Sequence, residues 1–122
     1  MKKAVIWHNP RCSKSRQGLA LLEDMAQRKD IEIEVRKYLD DVPSRKEIAD
    51  LLTKLDIQAS GLIRKKEALF KSLALKGVDE DALLDAMAEH AKLIERPVVI
   101  SGEKAAIGRP PEDLLSIFVK GD

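Results

Sequence analysis

The apolar residues between Ala4 and Arg36 change period twice, and this constrains the fold more than anything else in the chain. Ala4, Val5, Ile6 and Trp7 form a short continuous run, as in a strand buried on both faces. From Ser15 to about Arg28, Leu19, Leu22 and Met25 recur at helical spacing, and Leu21 and Ala26 widen the stripe. Ile31, Ile33 and Val35 then alternate with Glu32, Glu34 and Arg36, a period of two. Strand, helix, strand in that order favours two parallel strands joined by a crossover helix.

The middle of the chain is helical. Ser44 and Glu47 have capping-box spacing, and Ile48, Leu51, Leu52 and Leu55 follow on one face. The stretch Ser60 to Leu73 reads as two brief helices, and Asp79 can cap a further helix carrying Leu83, Ala86 and Met87. The period changes again at Pro97-Val98-Val99-Ile100, a strand. Ser101-Gly102 reads as a turn and Lys104 to Ile107 as the hairpin partner. Pro110 and Pro111 open a last helix, with Glu112 and Asp113 in its first turn and Leu114, Leu115 and Phe118 on one face. The order β-α-β, helices, β-β-α predicts an α/β fold with a thioredoxin-like mixed sheet. The whole chain, 1–122, is expected to be one such domain, with a helical insertion at about 44–92 between the second and third strands. In that fold the proline opening the third strand, here Pro97, is usually cis and faces a reactive cysteine.

Composition narrows the function. Lys+Arg 22 against Asp+Glu 21 leaves a net charge of +1, without the basic excess of a general nucleic-acid binder. No apolar run approaches the ~20 residues of a membrane span. Met1-Lys2-Lys3 leads straight into the first strand without a signal-peptide cleavage site. A single cysteine excludes an internal disulfide, and with only two histidines a zinc site is not expected. No bound metal, flavin or nucleotide is expected either. These features suit a cytoplasmic protein, and one small domain of balanced charge suits a monomer.

The chemistry concentrates in His8-Asn9-Pro10-Arg11-Cys12-Ser13-Lys14-Ser15-Arg16, between the first strand and the first helix. An ordinary thiol is only about 3% thiolate at pH 7. At a helix N-terminus, unpaired N–H groups and a partial positive charge favour the ionised sulfur. Arg11, Lys14 and Arg16 are cationic and close in sequence, although Arg11 and Lys14 read more readily as solvated charges than as ligands. His8 and Ser15 could donate hydrogen bonds to the sulfur. The same N–H groups and cations would cradle an oxyanion. Two thiol chemistries fail on spacing. A disulfide oxidoreductase needs Cys-x-x-Cys, but position 15 is Ser15, so a second sulfur must come from another molecule. A cysteine phosphatase places an arginine six residues after the cysteine, where this chain has Gly18.

His8-Asn9-Pro10-x-Cys12-x-x-Ser15-Arg16 resembles the arsenate reductases that use glutathione and glutaredoxin. The likeness extends through Tyr38-Leu39, Pro43-Ser44-Arg45, Leu62-Ile63-Arg64-Lys65, Leu93-Ile94-Glu95-Arg96-Pro97-Val98-Val99 and Gly108-Arg109-Pro110. The resemblance implies that Cys12 is the nucleophile and that His8 and Ser15 lower its pKa. It implies that Arg64, Arg96 and Arg109, with Arg16, bind arsenate or a similar oxyanion. By themselves those three arginines read as surface charges, and Arg64 sits in a basic run with Lys65 and Lys66. The implied reaction starts with attack of the Cys12 thiolate on arsenic(V), expelling water. Glutathione, the co-substrate, attacks the adduct, and arsenic reaches the +3 state on the cysteine. Glutaredoxin removes the glutathione as a mixed disulfide, and hydrolysis releases arsenite. Two other readings stay open: a related thiol oxidoreductase with another substrate, and a regulator like the Spx proteins, which bind RNA polymerase. Ser15 removes the Cys-x-x-Cys switch that such regulators often use. His90, near a helix end, has no assigned role.

Overall fold

The computed structural model describes residues 2–118. Met1, where the export reading begins, lies outside them. These residues gather into two compact units. One holds the chain up to Asp41 and again from Arg96; the other is Val42–Glu95.

The first unit is built on a four-stranded sheet. Its elements are β1 (Lys2–Trp7), α1 (Ser13–Lys29), β2 (Ile31–Arg36), β3 (Val98–Ser101), β4 (Lys104–Ile107) and a 3₁₀ helix, Pro111–Phe118. The strand order is β2-β1-β3-β4. β1 runs parallel to β2 and antiparallel to β3, and β3 and β4 form a hairpin. This is the thioredoxin-like mixed sheet that the element order predicts. The apolar run of β1 lies at the centre, with Ile6 opposite Val35 on one side and Val99 on the other. Ala4, Ile6 and Trp7 are buried there. β2 is an edge strand, so its alternation buries only partly: Ile31 and Ile33 are half-buried, while Val35 is 41% exposed.

Three local differences from the sequence reading have physical causes. The core-facing line of α1 is Ser15, Gly18, Leu22 and Ala26, with Leu19 and Met25 half-buried on its flanks. Small residues let the helix approach its neighbours closely, and two of them are invisible to a hydrophobic pattern. Ser101 pairs with Lys104 and so ends β3; the turn is Gly102-Glu103, with Gly102 at φ +60°. The last helix is 3₁₀, and its buried residues Pro111, Leu114 and Ile117 follow the three-residue repeat of that helix. Leu115 and Phe118 pack at the margin of the cluster formed by Ala4, Ile6, Leu22, Val99, Ala106, Leu114 and Ile117.

The second unit carries α2 (Arg45–Leu55), α3 (Ala59–Leu62), α4 (Ala68–Ser72), α5 (Glu80–Glu89) and a 3₁₀ turn, Ala91–Leu93. Both halves of the Ser44–Glu47 capping box form. Asp79 caps α5 by accepting from the Ala82 N–H at 2.8 Å. α2 packs on α5, and Arg45 reaches from α2 to Asp85 and Asp81. Ile48, Leu51, Leu62, Met87, Leu93 and Ile94 are buried. An isolated antiparallel bridge joins Ile63 to Ile94. His90 is the C-terminal boundary residue of α5.

Candidate active site

β1 ends at Trp7, and the His8 N–H still donates to the Arg36 carbonyl at 2.8 Å. The Arg36 guanidinium lies over the Trp7 ring, 5.7 Å from its centroid. Beyond His8 the chain folds on Asn9. The Asn9 carbonyl accepts from the Cys12 N–H and its side-chain oxygen from the Arg11 N–H, both at 3.0 Å. Asn9 in turn donates its N–H to Ser15 Oγ at 3.0 Å. Arg16 Nη1 donates to the Pro10 carbonyl at 2.9 Å, tying the helix back across the loop. These bonds hold Cys12 as the N-cap residue of α1, with extended backbone at φ −95° and ψ 123°.

The half-buried sulfur forms no cap hydrogen bond of ordinary geometry. Its pKa nevertheless lies below the usual thiol value. Burial is the strongest single influence and opposes ionisation. The Ser15 N–H, the Arg96 charge, the Lys14 N–H and the Arg109 charge together outweigh it. The helix start and two cations from distant sequence thus act on one atom.

His8 and Ser15 enter differently from the way the sequence suggests. The His8 ring is buried, and its Nδ1 lies 2.8 Å from Ser15 Oγ. The Ser15 side chain is fully buried, and among the described residues its hydroxyl partners are His8 and the Asn9 N–H, not the sulfur. Ser15 acts on Cys12 through its backbone. The His8 pKa is lowered by burial first and then by the Lys37 and Arg16 charges, which favours the neutral ring.

Arg96 is half-buried and precedes Pro97, whose peptide bond is cis. The Gly108 N–H donates to the Pro97 carbonyl at 2.8 Å, and Arg109 Nε donates to the Arg96 carbonyl at 2.9 Å. The Arg109-Pro110 bond is also cis. A Cβ at Gly18 would sit 2.6 Å from Leu114 Cδ1 and 2.8 Å from Pro97 Cγ. One at Gly108 would be 2.8 Å from both Leu114 Cγ and Pro97 Cγ. The two glycines therefore form a seat for the Pro97 ring that admits no larger residue. The sequence reading missed this role; a glycine inside a strong helical pattern was the available signal. The same contact excludes a phosphatase-type arginine at position 18.

The first unit thus brings together Cys12, His8, Ser15, Arg16, Arg96 and Arg109. Arg11 and Lys14 are exposed. Arg64 belongs to the helical unit. Its N–H donates to the Leu93 carbonyl at 2.7 Å, its Nη1 donates to the Lys92 carbonyl at 3.2 Å, and the same nitrogen pairs with Glu67 at 3.2 Å. Among the described residues there is no cluster of His, Cys, Asp and Glu able to hold a metal ion. No described helix is long and apolar enough to cross a membrane.

Known proteins are similar to this chain over nearly its whole length. The "Arsenate reductase" of Neisseria meningitidis serogroup A is 46% identical over 121 residues, covering 97% of this chain and all of the relative. The "Arsenate reductase" of Escherichia coli is 34% identical over 120 residues, covering 97% of this chain and 82% of the relative. The solved "Arsenate reductase from Vibrio cholerae" superposes with a TM-score of 0.86 at 46% identity, covering 95% of this chain and 98% of that one. The family model described as the ArsC family matches residues 7–117, so on sequence and fold alike the chain belongs to the ArsC family.

Proposed function

We propose that this protein is an arsenate reductase whose Cys12 thiolate forms the first bond to arsenic. The observation that carries the reading is the thiol's setting: a helix N-cap, with Arg96 and Arg109 lowering its pKa. Arsenate carries negative charge at neutral pH, and its oxygens suit forked guanidinium donors. Arg96 and Arg109, with Arg64 and Arg16 carried over from the family resemblance, are its ligands in this proposal. Attack by the sulfur on arsenic(V) expels an oxygen as water, and the cations balance the charge that develops.

Reduction needs two electrons, and the chain has one cysteine. The reducing thiols in this reading are glutathione and glutaredoxin. Glutathione replaces a second arsenic oxygen. A glutaredoxin thiolate then attacks the glutathione sulfur, forming a mixed disulfide. The electron pair of the broken arsenic–sulfur bond stays on arsenic, now +3. Water releases arsenite and restores Cys12.

The test is arsenate-dependent NADPH oxidation coupled through glutathione reductase, glutathione and glutaredoxin, with Cys12→Ser as the control. Turnover requiring arsenate, glutaredoxin and Cys12 is the expected result. Turnover with thioredoxin and thioredoxin reductase in their place would overturn the coupling while keeping the reductase. No arsenate-dependent signal with either system from folded protein would overturn the reaction itself.

A further inference from the structure

We infer that Glu67 is a positioning residue that presents Arg64 to the oxyanion, an inference that rests on Arg64 being an arsenate ligand. The turn over Lys65 and Lys66, closed by the Glu67 N–H on the Arg64 carbonyl at 3.2 Å, returns Glu67 beside Arg64. Glu67 directly precedes α4, yet its carboxylate makes no cap bond to that helix. One oxygen faces Arg64 Nη1 at 3.2 Å and the other faces Lys92 Nζ at 3.4 Å.

The Glu67 side chain is only 13% exposed and that of Arg64 22%, so this pair is more enclosed than the surface pairs Lys3–Glu34, Asp24–Arg28, Arg45–Asp85 and Lys46–Asp50. Such enclosure makes the geometry of the pair count for more than its charge alone.

The useful detail is which nitrogen is held. Nη1 takes both the Glu67 carboxylate and the Lys92 carbonyl. Nε and Nη2 have no partner among the described residues. Their N–H bonds lie on one edge of the guanidinium, the two-donor fork that matches adjacent oxygens of an oxyanion. Glu67 therefore does not compete with the substrate for donors. It holds the plane of the guanidinium through Nη1, and the Arg64 N–H on Leu93 fixes the backbone. The side chain's rotamer freedom is removed before substrate arrives.

The test is steady-state kinetics with arsenate varied, on Glu67→Ala, Glu67→Gln, Arg64→Ala and the double variant Arg64→Ala/Glu67→Ala, each checked for folding by circular dichroism. Restoring rotamer freedom to Arg64 should raise KM for arsenate about three- to tenfold, with kcat within about twofold because the reacting sulfur is untouched. Glu67→Gln keeps an acceptor for Nη1 and should lose less. In the Arg64→Ala background, Glu67→Ala should add nothing further. The inference is overturned if Arg64→Ala raises KM and Glu67→Ala does not. It is equally overturned if Glu67→Ala raises KM by the same factor without Arg64. An unchanged KM in Arg64→Ala would instead remove Arg64 as a ligand. If Glu67→Ala fails to fold, the Glu67→Gln KM decides, and a value equal to the parent's counts against the inference.

Discussion

Gly18→Ala tests whether close packing behind Pro97 governs both stability and the thiol. In an exposed helix interior this substitution would stabilise by about 1 kcal/mol. Here the new Cβ would approach Leu114 Cδ1 to 2.6 Å and Pro97 Cγ to 2.8 Å, against ordinary contact from 3.4 Å upward. Neither neighbour yields cheaply: Leu114 is 0% exposed, and the Pro97 ring is rigid and buried. Overpacking a closed core costs about 1–3 kcal/mol, and two simultaneous clashes put this site near the upper figure. Against the helix gain, about 2 kcal/mol of net loss remains. For 122 residues the unfolding entropy near Tm is about 0.26 kcal/mol/K. The Tm should therefore fall about 8 °C, read by far-UV circular dichroism and by Trp7 fluorescence. Pro97 carries Arg96, so the thiol pKa should rise in the same variant. A Tm equal to or above the parent's would refute the packing argument, because only the helix gain would then have been expressed.

Two further outcomes separate the influences on Cys12. Arg96→Gln removes the stronger of the two cations acting on the sulfur, so the midpoint of iodoacetamide alkylation against pH should move up. At a fixed pH below that midpoint the variant should alkylate more slowly; an unmoved midpoint would leave the activation to the backbone alone. Ser15→Ala leaves the half-buried Asn9 N–H and the buried His8 ring without their hydroxyl partner, at a cost of about 1–3 kcal/mol in urea unfolding. The same variant should keep its alkylation midpoint, since the Ser15 N–H remains; a large upward shift would mean that the hydroxyl acts on the sulfur.

What was legible in the sequence was local. Ser44 with Glu47, and Asp79 before its helix, mark caps whose donors lie within three residues. The run Ala4–Trp7 marks the central strand, and the alternation from Ile31 marks a strand that its edge position buries only partly. Part of what lowers the Cys12 pKa was legible, because the Ser15 and Lys14 amides come from its immediate neighbours. The 3₁₀ form of the last helix was not, since Leu114, Leu115 and Phe118 fit an α-helical face as readily as Pro111, Leu114 and Ile117 fit a three-residue repeat. The buried line of α1 was hidden because Ser15 and Gly18 are there for size rather than hydrophobicity. The partners of Arg64, Arg96 and Arg109 depend on contacts that spacing cannot encode. The family resemblance pointed to these arginines, with Arg96 also marked by its place directly before Pro97, and the Glu67 clamp carried no sequence signal at all.

The position of β1 between β2 and β3 bears on how the protein is made. The first crossover, β1-α1-β2, needs only the opening third of the chain, so it is complete early in synthesis. Arg96 and Arg109 are translated after this crossover and reach the sulfur only when the β3–β4 hairpin docks along the free side of β1. A nascent chain therefore carries Cys12 with its local amides but without its cations. The two charges that favour its thiolate in the folded protein thus arrive only with the later strands.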